Sequence, residues 1–439
     1  MVVKKNNVLI LLIISLFCTT GSTFAQQEKG IVGQNNWLSY WTKFQAKPET
    51  KPKPTQILSG EIKGDTVTLR KKEIYLLLGD VFVTDSTRLV IEPGTLILAD
   101  HKSKASLIIT SGSTIDAKGN QTDPIVFTSS KDAPLAGDWG GIFILGDAPS
   151  NKISEKNLLK KGLTSYTPDN LIYGGTNPES NSGVMEYVRI EYAGKRTKDF
   201  GFFDALSLYA VGNQTEISNV MMSYSKGNSL YVVGGEIDLE QLVSFKARHS
   251  DYMFDSGTQV NISNSLAVRS PYDSASKGAA SIHVTTNSNE DESNFAKVKT
   301  SVMASNLTLL NFSNNLKSAI EVGLVHEAIY VDANTLLTMN KSVISGFNPA
   351  VIFNREISLN DKNLQQIRFT NMYFNSCEGN IFIEFSQNNE DLENWYGNSS
   401  FQNVYSKGED VETFISHKNL RDPDFRLRIN KIIASSSSN

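Results

Sequence analysis

Cysteine is almost absent: the 439-residue chain has two, Cys18 and Cys377. Cys18 lies in a stretch that reads as a secretory signal peptide, residues 1–25. It has Lys4-Lys5, an apolar run from Val8 to Phe17, and Thr23-Phe24-Ala25 before the expected cut. Phe17 stands before Cys18 where lipidation wants a small residue, so lipidation is set aside. Cleavage leaves Cys377 alone, which excludes an intramolecular disulfide framework even in an oxidising compartment. Its plain reading is a small buried hydrophobe. No apolar run after Phe17 approaches the length of a membrane span. Histidine is scarce too, and His101, His249, His283, His326 and His417 show no metal-ligand spacing, so no metal and no cofactor is expected. Strong net charge is also missing: 42 basic residues face 46 acidic ones, a formal charge of −4. That balance argues against nucleic acid as a main partner.

What the chain does have is repetition. Glu92-Pro93-Gly94-Thr95-Leu96-Ile97 is echoed by Thr110-Ser111-Gly112-Ser113-Thr114-Ile115, with Gly112 18 residues after Gly94. The triplets Leu89-Val90-Ile91 and Leu107-Ile108-Ile109 lead into the two turns, and Ile125-Val126-Phe127 and Ile142-Phe143-Ile144 follow. A period this short predicts a solenoid of brief strands joined by Gly, Asn or Asp corners. A second register appears at Ile217-Ser218-Asn219-Val220, Leu239-Glu240-Gln241-Leu242 and Ile262-Ser263-Asn264-Ser265. Ala304-Ser305-Asn306-Leu307 lies 42 residues beyond, about two coils on this reading. Looser echoes are Phe369-Thr370-Asn371-Met372 and Phe401-Gln402-Asn403-Val404. Asn or Gln at such a corner tolerates left-handed backbone and lets stacked amides bond to one another. Roughly sixteen coils would make a rod of about 75 Å.

The domain reading is a signal peptide at 1–25, an aromatic segment and Pro/Lys-rich connector at 26–55, a β-helix at 56–430 and a polar tail at 431–439. Trp37, Tyr40, Trp41 and Phe44 sit at i, i+3, i+4 and i+7, which predicts one face of a short helix with Asn36 as N-cap. A helix that short must bury its aromatic face, either as a cap on the first coil or against a partner. Both readings stay open, with the cap preferred because solenoid edges need covering. Ser154 to Lys161 reads as a second short helix, and the segment from Asn388 to Asn430, with Trp395 and Phe425, as the far cap.

The run Tyr75-Leu76-Leu77-Leu78-Gly79-Asp80-Val81-Phe82-Val83, with Leu89 to Thr95, Gly137-Asp138-Trp139-Gly140-Gly141-Ile142 and Tyr173-Gly174-Gly175-Thr176-Asn177, resembles a family of exported right-handed parallel β-helix proteins. That family is common in Bacteroidota and largely uncharacterised. The resemblance implies an all-β right-handed parallel β-helix and export, without a settled activity. Relatives tend to carry paired acids where this chain reads Ser225-Lys226-Gly227-Asn228-Ser229 and Lys246-Ala247-Arg248-His249-Ser250-Asp251, and an Asp at Ser180. If those acids hold calcium in relatives, the site is lost here.

Polysaccharide lyases and glycoside hydrolases also use β-helices, and their chemistry needs converging carboxylates, with a cation for lyases. Candidates are Asp204, Arg248, His249, Asp251 and Asp255, with Asp199 and Arg269 nearby in sequence. Solvated corner residues are the preferred reading, because fold analogy cannot supply a site. The expectation is an exported, non-enzymatic binding or scaffold module at the cell envelope, periplasmic or on the surface and outer-membrane associated. Its partner would be an envelope protein or a surface glycan. The alternative is a carbohydrate-active enzyme.

Overall fold

Alternation of period two decides which side chains enter the core. Leu107 and Ile109 pair in register with Ile142 and Ile144 of the next coil, and all four are buried. Their neighbours Ile108 and Phe143 face outward. Repeated along the chain, this rule stacks 29 strands into one continuous parallel sheet, wound as a right-handed β-helix with three faces. The computed structural model describes residues 29–45, 48–164, 167–273, 278–286, 292–386 and 389–428. The expected signal peptide and polar tail lie outside the described residues.

Sheet 1 stacks Thr66–Leu69, Arg88–Ile91, Thr114–Lys118, Gly183–Glu191, Glu216–Ser223, Glu236–Glu240, Gln259–Ser263, Ser301–Ser305, Leu336–Asn340 and Ile367–Thr370. Sheet 2 runs from Gln56–Ile62 to Val404–Ser406 and sheet 3 from Ile74–Val83 to Ile381–Ile383. About ten coils at about 4.8 Å each give a stack of about 48 Å, shorter than the rod expected from the repeats. Insertions between strands lengthen single coils instead of adding new ones. Asn264 and Asn306 are therefore one coil apart, with Asn264 N donating to Ser305 O at 3.0 Å.

The corner between sheets 1 and 2 is left-handed at Asn219, Gln241, Asn264, Asn306, Lys341 and Asn371, with φ from 45° to 57°. Asn219 Nδ2 donates to Gln241 Oε1 at 2.7 Å, the first step of an amide ladder. In the last echo the left-handed residue is Gln402, φ 53°, one place earlier than the spacing implied.

The ladder then turns outward to hold the N-terminal segment. Val32 N donates to Asn264 Oδ1 at 2.8 Å, and Asn306 Nδ2 donates to Gly30 O at 3.2 Å. From Lys29, near Met372 O and Gln402 O, the chain runs back along sheet 2 to Glu49, whose N–H donates to Asp132 O at 3.0 Å. Residues 37–41 form a turn rather than a helix, with Tyr40 at φ 75°. Ile31, Leu38, Trp41 and Phe44 bury the outward Met221, Val243, Phe245, Leu266, Val268, Leu310 and Val343. The segment is thus a strap along one face, neither a cap on the first coil nor a free helix. The hairpin of Phe414–Ser416 and Asp424–Leu427 joins it, with the Phe44 and Phe425 rings 5.6 Å apart. Phe425 therefore belongs to the flank, while the helix Glu390–Tyr396 covers the far end of the core with Leu392 and Tyr396. Residues 154–161 form no helix; Asn157–Leu158 pairs antiparallel with Ile172–Tyr173.

Candidate functional site

The three outer faces differ in what covers them. Sheet 2 lies under the strap. The first half of sheet 3 (Phe82, Ile108, Phe143, Tyr209) lies under Leu159, Leu163, Tyr173 and Phe203. Sheet 1 presents exposed polar side chains such as Glu216, Glu236 and Asp238. Among the described residues no apolar cluster covers the second half of sheet 3, and that half is not simply polar.

Two outward columns run down this open half. Tyr231, Met253, His283, Tyr330, Ile352 and Phe382 stand in exact register on successive coils, each half-buried. Beside them Asp255, Thr285, Asp332, Asn354 and Glu384 each follow the last inward residue of their strand. The segments bordering the strip carry exposed Tyr272, Val322, Phe295 and Phe385, the first and last 73% and 79% exposed.

The polar column is bonded along its length. Tyr231 OH donates to Asp255 Oδ2 at 2.7 Å. Thr285 Oγ1 donates to Asp332 Oδ2 at 2.8 Å and Asn354 Nδ2 to Asp332 Oδ1 at 2.6 Å. Tyr330 OH donates to Glu384 Oε2 at 3.1 Å and sits 3.3 Å from Asn354 Nδ2. The rings of His283 and Tyr330 meet edge-to-face at 5.1 Å. Burial holds the His283 imidazole below its usual pKa, against the pull of Asp332 and Asp255. Burial, with the charges of Asp332 and Glu384, raises the Tyr330 phenol. Both groups are therefore neutral at neutral pH and present ring edges and faces. Asp332 and Glu384 are half-buried on the open side, so the strip can accept hydroxyl hydrogens there while its rings pack on apolar ligand faces.

Of the residues singled out from sequence, only Asp255 lies on this strip, and it is buried. Asp251 is inside the coil, paired with Arg269 Nη1 at 3.0 Å and bonded to Ser244 Oγ. Burial raises its pKa and Arg269 opposes the rise. Asp204 is a buried corner acceptor for Asn228 N and Nδ2 at 3.1 and 2.7 Å. His249 packs on the Phe202 ring at 5.0 Å, its pKa lowered by burial, while Arg248 and Asp199 are exposed. These side chains do not share one groove. Trp41 and Phe44 are buried against sheet 2, Trp37 is half-buried, and Tyr40 is 81% exposed. The strip itself was encoded in four-residue words, Tyr252-Met253-Phe254-Asp255, Ile282-His283-Val284-Thr285, Ile329-Tyr330-Val331-Asp332, Val351-Ile352-Phe353-Asn354 and Ile381-Phe382-Ile383-Glu384. Their shared apolar–any–apolar–polar form was the signal missed. Among the described residues no three His, Cys, Asp or Glu side chains gather as a metal set.

The profile of the pectate-lyase like beta helix domain family matches residues 60–416. No curated protein matches the chain. Among solved structures, a pectin methylesterase crystallised with a hexasaccharide is similar at a TM-score of 0.32 and 9% identity, over 70% of this chain and 84% of that one. A likeness that slight says nothing of activity.

Proposed function

Since the chain belongs to the pectate-lyase-like β-helix domain family, we propose that it is an exported, non-enzymatic glycan-binding module of the cell envelope. An extended saccharide lies along the open half of sheet 3, in the periplasm or at the surface close to the outer membrane. The observation that carries this reading is the registered column from Tyr231 to Phe382, which keeps rings and apolar groups half-exposed beside hydrogen-bonding groups. Aromatic faces with flanking acceptors suit a sugar ring, which is apolar on its faces and polar at its edge. Both Asp332 oxygens already accept hydrogen bonds, a state that suits a positioning acceptor better than an acid or base.

The test is calorimetric titration with neutral and acidic oligosaccharides. Tyr330→Ala should lower the affinity of any saccharide that binds by roughly tenfold. Unchanged affinity in that variant would place the ligand elsewhere.

One observation favours the enzymatic alternative. Asp332 and Glu384 stand two coils apart, about 9.6 Å between rungs, near the carboxyl spacing of inverting glycosidases. Release of new reducing ends by the wild type, abolished in Glu384→Gln, would establish that alternative.

A further inference from the structure

The open strip changes charge along its length. Its floor carries Asp255, Asp332 and Glu384, whereas the end at Tyr231 meets a basic corner. There the short hairpin of Arg196–Thr197 and Gly201–Phe202 holds out a half-buried Phe202 ring. Arg196 lies 5.4 Å and Lys226 5.8 Å from that ring's centre, and the His249 ring packs on it at 5.0 Å. Lys161 Nζ donates to Phe202 O at 3.3 Å and lies 6.0 Å from the Tyr231 ring, which joins the corner to the first rung of the strip. Arg248, exposed, is one coil on from Lys226, with its N–H donating to Ser225 O at 3.0 Å.

The nearby carboxylates neutralise this corner only in part. Asp80 is paired with Lys195 at 3.0 Å and Asp138 with Lys131 at 2.6 Å. Asp204 is turned to Asn228. That leaves exposed Asp199, in the same hairpin, and buried Asp204, whose charge still acts on His249, against Lys161, Arg196, Lys226 and Arg248. The Lys104 ammonium is held below the ordinary lysine range by burial, and Lys131, Lys226 and Lys195 push it further down against the pull of Asp138. Cations gathered around an aromatic ring attract an anionic group, while three carboxylates along the floor disfavour a second one.

We propose that the ligand of this strip is a saccharide with one anionic group, a carboxylate or a sulfate ester, at the end that meets Phe202, and that it is neutral along the rest. This rests on the glycan-binding reading above and adds polarity and charge to it. Two placements follow: the anion sits between Arg196 and Lys226, and the neutral residues pass over Met253, His283 and Tyr330.

The probes are neutral hexasaccharides, the same hexasaccharides with a single terminal uronic acid or a single terminal sulfate, and hexagalacturonate. One terminal charge should raise affinity roughly tenfold over the neutral parent, an advantage that shrinks as salt is raised. Hexagalacturonate should bind more weakly than the singly charged probe. The double variant Arg196→Gln/Lys226→Gln should lose the advantage while keeping neutral binding. Arg248→Gln, at an exposed position, should lose part of it. The uronic-acid and sulfate arms separate the two sources of charge. Equal affinity for neutral and singly charged probes, or tightest binding by hexagalacturonate, would overturn the inference alone. Absence of binding by every probe would overturn the groove reading, and this inference with it.

Discussion

At the residue scale, one corner position serves two ends. Asn219 and Gln241 bond to each other, whereas Asn264 and Asn306 turn the same left-handed corner and bind the strap instead. Asn264→Ala should cost on the order of 1 kcal/mol, seen as a lower denaturation midpoint, because Val32 N–H loses its acceptor and the corner loses a residue that tolerates positive φ. Ile109 and Ile144 are fully buried in the inward column, so Ile109→Asp should prevent folding or lower stability by several kcal/mol. Near-normal melting of that variant would contradict the register. His417 is buried beside Phe312 and Phe414, and burial with Lys418 and Arg428 lowers its pKa from 6.5 to about 4. A base whose folded pKa is depressed binds fewer protons folded than unfolded in that window. Its contribution is therefore present above about pH 6.5 and is lost as pH falls towards 4, by on the order of 3 kcal/mol. His249 and His283 shift in the same direction. Melting curves across that range should show His417→Phe with a flatter pH dependence than the wild type; an identical slope would sink this assignment. Inward residues were legible in sequence because apolar triplets alternate. The strip was not, because a Thr, Asp, Asn or Glu after such a triplet looks like an ordinary corner.

At the element scale, the N-terminal strap shows where local spacing misleads. Trp37, Tyr40, Trp41 and Phe44 have helical spacing, but sheet 2 offers a long, flat apolar strip that one short helix cannot cover. An extended segment with one turn reaches from the last coils to the first and leaves Tyr40 outside. Tertiary burial outweighs the weak helical preference of so short a piece. Phe44→Ala should cost about 3 kcal/mol, since the ring contacts both Phe245 and Phe425. Deleting residues 26–45 should lower the melting temperature and promote association through the bared Val243, Phe245, Leu266 and Val268. Tyr40→Ala should do neither. A deletion as stable and monomeric as the full chain would mean that the strap contributes nothing to the fold.

At the scale of the whole molecule, the parallel β-helix was legible from repeats alone, and its length was not. Counting repeats by chain length treats every residue as part of a coil, whereas the stretches 146–182 and 312–328 lie between successive rungs. The first of these stretches covers one half of sheet 3 with Leu159, Leu163 and Tyr173. No unsaturated product is expected from a uronate polymer, with or without calcium. Asp251 and Arg269 are consumed in a buried pair, and among the described residues Arg248 forms no ion pair with Asp255, Asp332 or Glu384. The measurement that tests the central claim most directly is a glycan array read with three proteins: wild type, His283→Ala/Tyr330→Ala/Phe382→Ala on the open strip, and Glu216→Gln/Asp238→Asn/Asn261→Ala on sheet 1. The account predicts that the strip variant loses the wild-type signals and the sheet 1 variant keeps them, with no glycan cleaved. Signals that survive in the strip variant, or vanish only in the sheet 1 variant, would contradict it.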